Sequence, residues 1–147
     1  MKLNRWMLTL TVVALTTLGV ACQSEPKPDT SAAAPTAEAP EITVDALAEK
    51  LDSKAAITVC DANGEETRKE QGVIPGAILL TSHSEYDMSV LPADKGADVV
   101  FYCGSEKCSA APKAAEKAMA AGYSNVRVLR AGIKGWVAAG KPVTKEG

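Results

Sequence analysis

The stretch Val99-Val100-Phe101-Tyr102-Cys103-Gly104-Ser105-Glu106-Lys107-Cys108-Ser109 places two thiols around a short polar loop. A thiolate is a strong nucleophile, and its surroundings set how readily it forms. Cys103 ends an apolar run rich in β-branched and aromatic residues, which predicts a buried parallel strand. In an open α/β sheet, ligands bind beyond the carboxyl ends of the strands. An Ala-rich helix is predicted after the loop. The loop amides and that helix's N-terminus then face the sulfur, favour negative charge and are expected to lower its pKa. Cys103 is therefore the candidate nucleophile. Gly104, Ser105, Glu106, Lys107, Cys108 and Ser109 form the candidate anion cradle. The alternative for Cys103 is a buried cysteine packed as a small hydrophobe.

The other chemistry-bearing residues each carry two readings. Lys107 either steers an anionic ligand or is a solvated loop lysine. Ser109 either caps the next helix or only starts the loop's exit. Asp61 is expected to hydrogen-bond its own turn. Cys60 is expected to be buried and inert, and Trp136 to anchor the core. His83 reads as a surface residue. Arg130 and Lys134 flank the turn after the last strand, where they either rim a pocket or form a solvated face. A lone histidine and the lack of Cys-x-x-Cys or His clusters argue against a metal site. No cofactor is expected.

Elements that alternate between strand and helix must position these groups. Ile42-Thr43 reads as a short edge strand, and Val44, Leu47, Ala48 and Leu51 repeat on one helix face. Ala55 to Cys60 reads as a strand, closed by Asp61-Ala62-Asn63-Gly64 as a turn. Glu65 to Gln71 reads as a short exposed helix. A stiff turn, Gly72 to Gly76, leads into a strand at Ala77 to Leu80. Thr81 to Gly96 shows no regular pattern. Asp98 to Tyr102 is the strand before the loop, and Pro112 suits the first turn of the next helix. Gly122 suits that helix's C-cap. Val126 to Leu129 is the last strand, followed by a short helix ending near Gly140. This order predicts an α/β domain with a mostly parallel sheet.

Lys and Arg number 16 against 18 Asp and Glu in 147 residues. With no basic block and no aromatic-basic interleaving, nucleic acid is excluded as the expected partner. Lys2 and Arg5 precede an apolar run from Trp6 to Val20, the form of a signal peptide over residues 1–21. Gly19-Val20-Ala21-Cys22 resembles a bacterial lipobox, which would place a lipid on Cys22. Cleavage after Ala21 without lipidation also fits. Residues 22–40 are rich in Pro, Ala, Ser and Thr and read as a disordered tether. The domain then spans 41–147. The expected address is the bacterial cell envelope, lipid-anchored and facing the periplasm, or else soluble periplasmic or secreted. Setting Cys22 aside leaves Cys60, Cys103 and Cys108, an odd set in an oxidising compartment.

The domain resembles the rhodanese family from about Ile42 to Val143. Gly72-Val73-Ile74-Pro75-Gly76-Ala77 is similar to its G-H-I-P-G-A turn, and Phe101-Tyr102-Cys103 to its strand and catalytic cysteine. Gly122-Tyr123, Val126, Val128-Leu129, Gly132-Ile133, Trp136, Ala139-Gly140 and Pro142-Val143 match its tail. The resemblance implies a rhodanese-like fold, a sheet of about five strands with helices on both faces. It implies sulfur transfer: Cys103 takes a sulfane sulfur from a small anion such as thiosulfate, becomes a persulfide, and passes the outer sulfur to a thiol, a protein or a cyanide-type acceptor. Cys108 is then either a resolving thiol for that persulfide or packing at the helix entrance. Val73 departs from the family's His, Asn63 stands near its Arg, and Cys108 replaces its usual loop ending. Relatives that act on phosphate or arsenate carry a loop arginine, and none lies between Cys103 and Gly122. Two other functions stay open: a thiol–disulfide redox protein using Cys103 and Cys108, and a non-catalytic module that binds sulfur species or a protein.

Overall fold

A computed structural model of the chain describes residues 38–145. The signal peptide, Cys22 and most of the tether lie outside the described residues. Among the described residues, no helix is long and apolar enough to cross a membrane.

The elements run α1 (Val44–Asp52), β1 (Ile57–Asp61), α2 (Glu65–Gln71), β2 (Ile78–Leu79), a 3-10 turn (Met88–Val90), β3 (Asp98–Tyr102), α3 (Ala110–Ala120), β4 (Asn125–Leu129) and α4 (Gly132–Ala138). The strands form one parallel sheet in the order β2-β1-β3-β4. β1 and β3 pair from Ile57 opposite Asp98 to Asp61 opposite Tyr102.

Alternation along β3 assigns its side chains to two cores. Val99 and Phe101 face α3, joined by Cys60, Val126, Val128 and the α3 stripe Ala111, Ala114, Ala115 and Ala118. The small alanines let α3 approach the sheet closely. Val100 and Tyr102 face the opposite side with Leu47 and Ala48 of α1, Ile74, and Ile133 and Trp136 of α4. Helices therefore cover both faces. Trp136 is buried, and its Nε1 donates to the Pro142 carbonyl at 2.8 Å.

The expected edge strand at Ile42-Thr43 is a single parallel bridge between Glu41 and Val128. Ile42 N donates to Val128 O at 3.0 Å and Val128 N to Pro40 O at 2.9 Å. The pairing stops there because Thr43 turns to cap α1, its hydroxyl accepting from Ala46 N at 3.2 Å. The stretch read as irregular is anchored through tyrosines. Tyr86 Oη donates to Ala114 O at 2.8 Å, and Tyr123 Oη to Pro92 O at 2.7 Å. α2 is not wholly exposed: Arg68 is buried and turned toward the ends of β1 and β2.

Candidate active site

Cys103 follows directly on β3, an interior strand, and its loop is held from both sides. On one side stands the first turn of α4, whose leading N–H groups have no partners within their own helix. Ile133 N donates to Cys103 O at 2.8 Å, and Lys134 N to Gly104 O at 3.1 Å. These bonds turn the first loop carbonyls toward α4. On the other side stands α3, whose Ala110 and Ala111 amides point at sulfur. The Ala111 and Gly104 amides reach Cys103, and those of Ala110, Gly104 and Ala111 reach Cys108. Ser109 sits at the cap position with helical backbone and no side-chain capping bond. Ser109 therefore starts the loop's exit and does not cap the helix through its hydroxyl.

Of the expected cradle, the Gly104 amide acts on Cys103 together with Ala111, and the two do not lower its pKa overall. Burial pushes that thiol up to about 11, because Cys103 is only 3% exposed. Its hydrogen bond with Cys108 pushes in the same direction. Its Sγ also donates to the Cys108 carbonyl at 3.5 Å, which favours the protonated form. At Cys108, which is half-buried, burial again raises the pKa. There the hydrogen bond from the Cys103 thiol and the three amides outweigh it, and the pKa falls below the ordinary thiol value. The two thiols act on each other's ionisation, so their proton losses belong to the pair. Alkylation by iodoacetamide is expected to rise with pH in two steps, the first below the ordinary thiol range and the second near 11. Cys108→Ser removes the first step. A single step at the ordinary thiol value in the unaltered protein contradicts the pairing.

A cavity of about 420 Å³ opens beside the loop. Gly104, Ser105, Cys108 and Ala110 line it from the loop, Asn63 and Gly64 from the end of β1, and Thr67, Glu70 and Gln71 from α2. His83 and Lys134 complete the wall. His83, read as a surface residue, is half-buried and lines the cavity wall. Lys134 rims the site. Lys107 and Glu106 are exposed and line a second cavity of about 390 Å³, with Ala131 and Ala138. Arg130 braces the loop by donating to Glu106 O at 3.2 Å, with Glu41 3.5 Å from its Nε. Cys60 is fully buried and its pKa is pushed up to about 12, first by burial and then by Asp61, which makes it inert. Among the described residues, no cluster of His, Cys, Asp and Glu is arranged to hold a metal.

Asn63, Thr67, Glu70 and Gln71 were not singled out as cavity residues by sequence. The signal for Asn63 was its place just past β1, at the carboxyl end of a strand next to β3. Gly132 was also missed as a site residue. Its φ is +62°, and a Cβ there would lie 2.5 Å from Cys103 O and 2.7 Å from Gly104 C and Ser105 N. Gly132→Ala is expected to cost about 1–2 kcal/mol from the left-handed backbone alone. The clash pushes the cysteine loop outward and lowers sulfur uptake as well. Wild-type stability in urea with unchanged uptake contradicts this reading.

A parallel sheet covered on both faces, with a thiol just past the carboxyl end of an interior strand, defines an α/β domain with a cysteine loop at its sheet's carboxyl edge. The chain belongs to the rhodanese-like domain family, whose model matches residues 43–139. The solution structure of a rhodanese-like domain from Anabaena is similar, at 23% identity and a TM-score of 0.62 over 73% of this chain and 80% of that one. A thiosulfate sulfurtransferase from Pseudomonas aeruginosa gives 22% identity and a TM-score of 0.63 over 74% of this chain and 21% of its own. A Rhodopseudomonas palustris protein described as a possible tyrosine phosphatase gives 18% and 0.61, over 72% and 85%. These identities speak for the fold. No curated protein matches the chain.

Proposed function

We propose that this protein is an exported sulfurtransferase that carries a sulfane sulfur on Cys103 as a persulfide. The observation that carries the reading is the position of Cys103: it follows directly on β3 at the sheet's carboxyl edge, in the loop whose Gly104, Ser105 and Cys108 line the cavity. The donor class is a small sulfur-containing anion such as thiosulfate. The Cys103 thiolate attacks the outer sulfur, the S–S bond of the donor breaks, and sulfite leaves with the electron pair. The amides face the negative charge as it moves from the thiolate to the persulfide. Lys134 supplies a cation at the cavity rim, which favours an anionic donor. Asn63 Nδ2 is buried without a partner among the described residues, so a bound oxyanion finds a donor in the same wall. Acceptors are a thiol, a protein or a cyanide-type nucleophile.

Phosphate chemistry is disfavoured, because no arginine between Cys103 and Gly122 can clamp an oxyanion bidentately. The Cys103–Cys108 contact favours one second reading, thiol–disulfide exchange. The intact mass of the mature protein after incubation with thiosulfate separates the two. Gain of one sulfur, mapped to Cys103, supports sulfur transfer. Loss of two hydrogens with no sulfur gained supports the disulfide reading. An unchanged free thiol leaves only a binding role.

We also place the protein on the bacterial envelope through a lipid on Cys22, facing the periplasm. The support is the form of residues 1–22 and the tether that follows. The full chain expressed in bacteria should partition into detergent with the membrane fraction, and Cys22→Ser should release it from that processing. Wholly soluble protein that starts at an unmodified Cys22 refutes the anchor.

A further inference from the structure

We propose that the sulfane sulfur leaves this protein from Cys108, after moving there from Cys103. The proposal rests on the sulfur-transfer reading above and adds a second thiol to it.

Accessibility differs sharply between the two cysteines. Cys103 is 3% exposed and does not line the 420 Å³ cavity, whereas Cys108 is half-buried and does. Both belong to one short loop, and the Cys103 Sγ donates to the Cys108 carbonyl at 3.5 Å, which sets the two residues against each other. A small donor can reach a recessed thiol. A thiol acceptor borne on a peptide or protein needs its own sulfur to approach in line with the bond that breaks, and the walls around Cys103 leave little room for that approach. Cys108 already stands in the open space.

The loop is fixed in a way that suits a short transfer. Cys108 N donates to Ser105 O at 2.9 Å, closing a tight turn that folds Cys108 back toward Cys103. The Gly104 and Ala111 amides favour the charged form of either thiol, so negative charge is stabilised by the same donors on Cys103 and on Cys108. The geometry therefore costs little reorganisation.

The step balances without an added oxidant or reductant. The Cys108 thiolate attacks the outer sulfur of the Cys103 persulfide. A new S–S bond forms on Cys108, the Cys103 S–S bond breaks, and Cys103 departs as a thiolate. The persulfide proton stays with the transferred sulfur or is lost to water. An external thiolate then attacks the outer sulfur on Cys108 and regenerates both cysteines.

The test uses the mature protein, loaded once with thiosulfate labelled in its outer sulfur. Alkylation and peptide mapping should then find labelled persulfide on Cys108 in the wild type and on Cys103 in Cys108→Ser and Cys108→Ala. Discharge to glutathione, relative to discharge to cyanide, should fall at least tenfold in both variants, because cyanide is small enough to reach Cys103. Label confined to Cys103 in the wild type, with an unchanged glutathione-to-cyanide ratio in the variants, overturns the proposal. So does sulfide released on loading with a Cys103–Cys108 disulfide left behind, since the attack has then fallen on the inner sulfur. Failure of every form to take up sulfur removes the parent reading, and this one with it.

Discussion

Cys103→Ser is expected to take up no sulfur from thiosulfate while remaining folded. The hydroxyl fits the space of the thiol, and the Ala111 and Gly104 amides have an oxygen to face in place of sulfur. A serine hydroxyl does not become a sulfur-accepting nucleophile at neutral pH, so the covalent route closes. Loss of a covalent nucleophile reduces turnover by about 10³-fold or more. Single-turnover uptake read by intact mass is the direct measurement. Cys60→Ala is the control: Cys60 is fully buried, outside the cavity wall, and held protonated by burial. A larger loss of turnover in Cys60→Ala than in Cys103→Ser overturns the assignment. Uptake that persists in Cys103→Ser on Cys108 would show that the donor loads the accessible thiol directly.

The position of Cys103 just past a strand's end was legible because it depends on local pattern. A short β-branched run, a cysteine, a polar loop and an Ala-rich helix fix strand end and helix start without knowledge of the rest of the fold. The direction of the Cys103 pKa was not legible. The amide cradle follows from chain order, but desolvation depends on how deeply three other segments cover the sulfur. The cavity shows the same division. Its loop side was named from sequence, whereas Asn63, Gln71 and His83 come from β1's end, α2 and the irregular stretch. Only packing brings them together.

Two fold features were hidden for physical reasons. The fifth strand reduces to one bridge because Thr43 serves a helix cap, and a threonine fits strand and cap patterns equally well. The helix Glu65-Glu66-Thr67-Arg68-Lys69-Glu70-Gln71 looks solvated throughout, since hydropathy cannot distinguish a buried, paired arginine from an exposed one. Arg68 lies in the core all the same, and Asp61, read as a turn residue, does more than close its turn.

Arg68→Met is the substitution expected to damage stability most. Arg68 Nη2 donates to the carbonyls of Leu80 at 2.9 Å and Asp61 at 3.1 Å, tying the ends of β1 and β2 to α2. Its Nε lies 3.5 Å from Asp61 Oδ2, and the Asp61 side chain has no exposed surface. Asp61 also accepts from Asn63 N at 2.7 Å and from Tyr102 Oη at 2.8 Å. Tyr102 in turn accepts from Ile74 N at 3.1 Å. Burial and the Asp61 carboxylate push the Tyr102 phenol well above its usual pKa, so it stays a donor. Methionine keeps most of the stem's volume but leaves the carboxylate without its cation and the Leu80 carbonyl without its donor, while the Asp61 carbonyl keeps Leu80 N at 2.9 Å. Breaking a buried pair in this way costs about 3–5 kcal/mol, against a total stability of about 5–15 kcal/mol for a domain. The urea midpoint should fall accordingly. Lys69→Ala is the comparison, because its pair with Glu65 is 68% and 81% exposed and contributes little. Equal midpoints for the two variants would show that Asp61 is held by Tyr102 and Asn63 alone. Because Tyr102 is the residue before Cys103, loosening this network also frees the base of the cysteine loop. Arg68→Met should therefore lose sulfur uptake at temperatures where it is still folded.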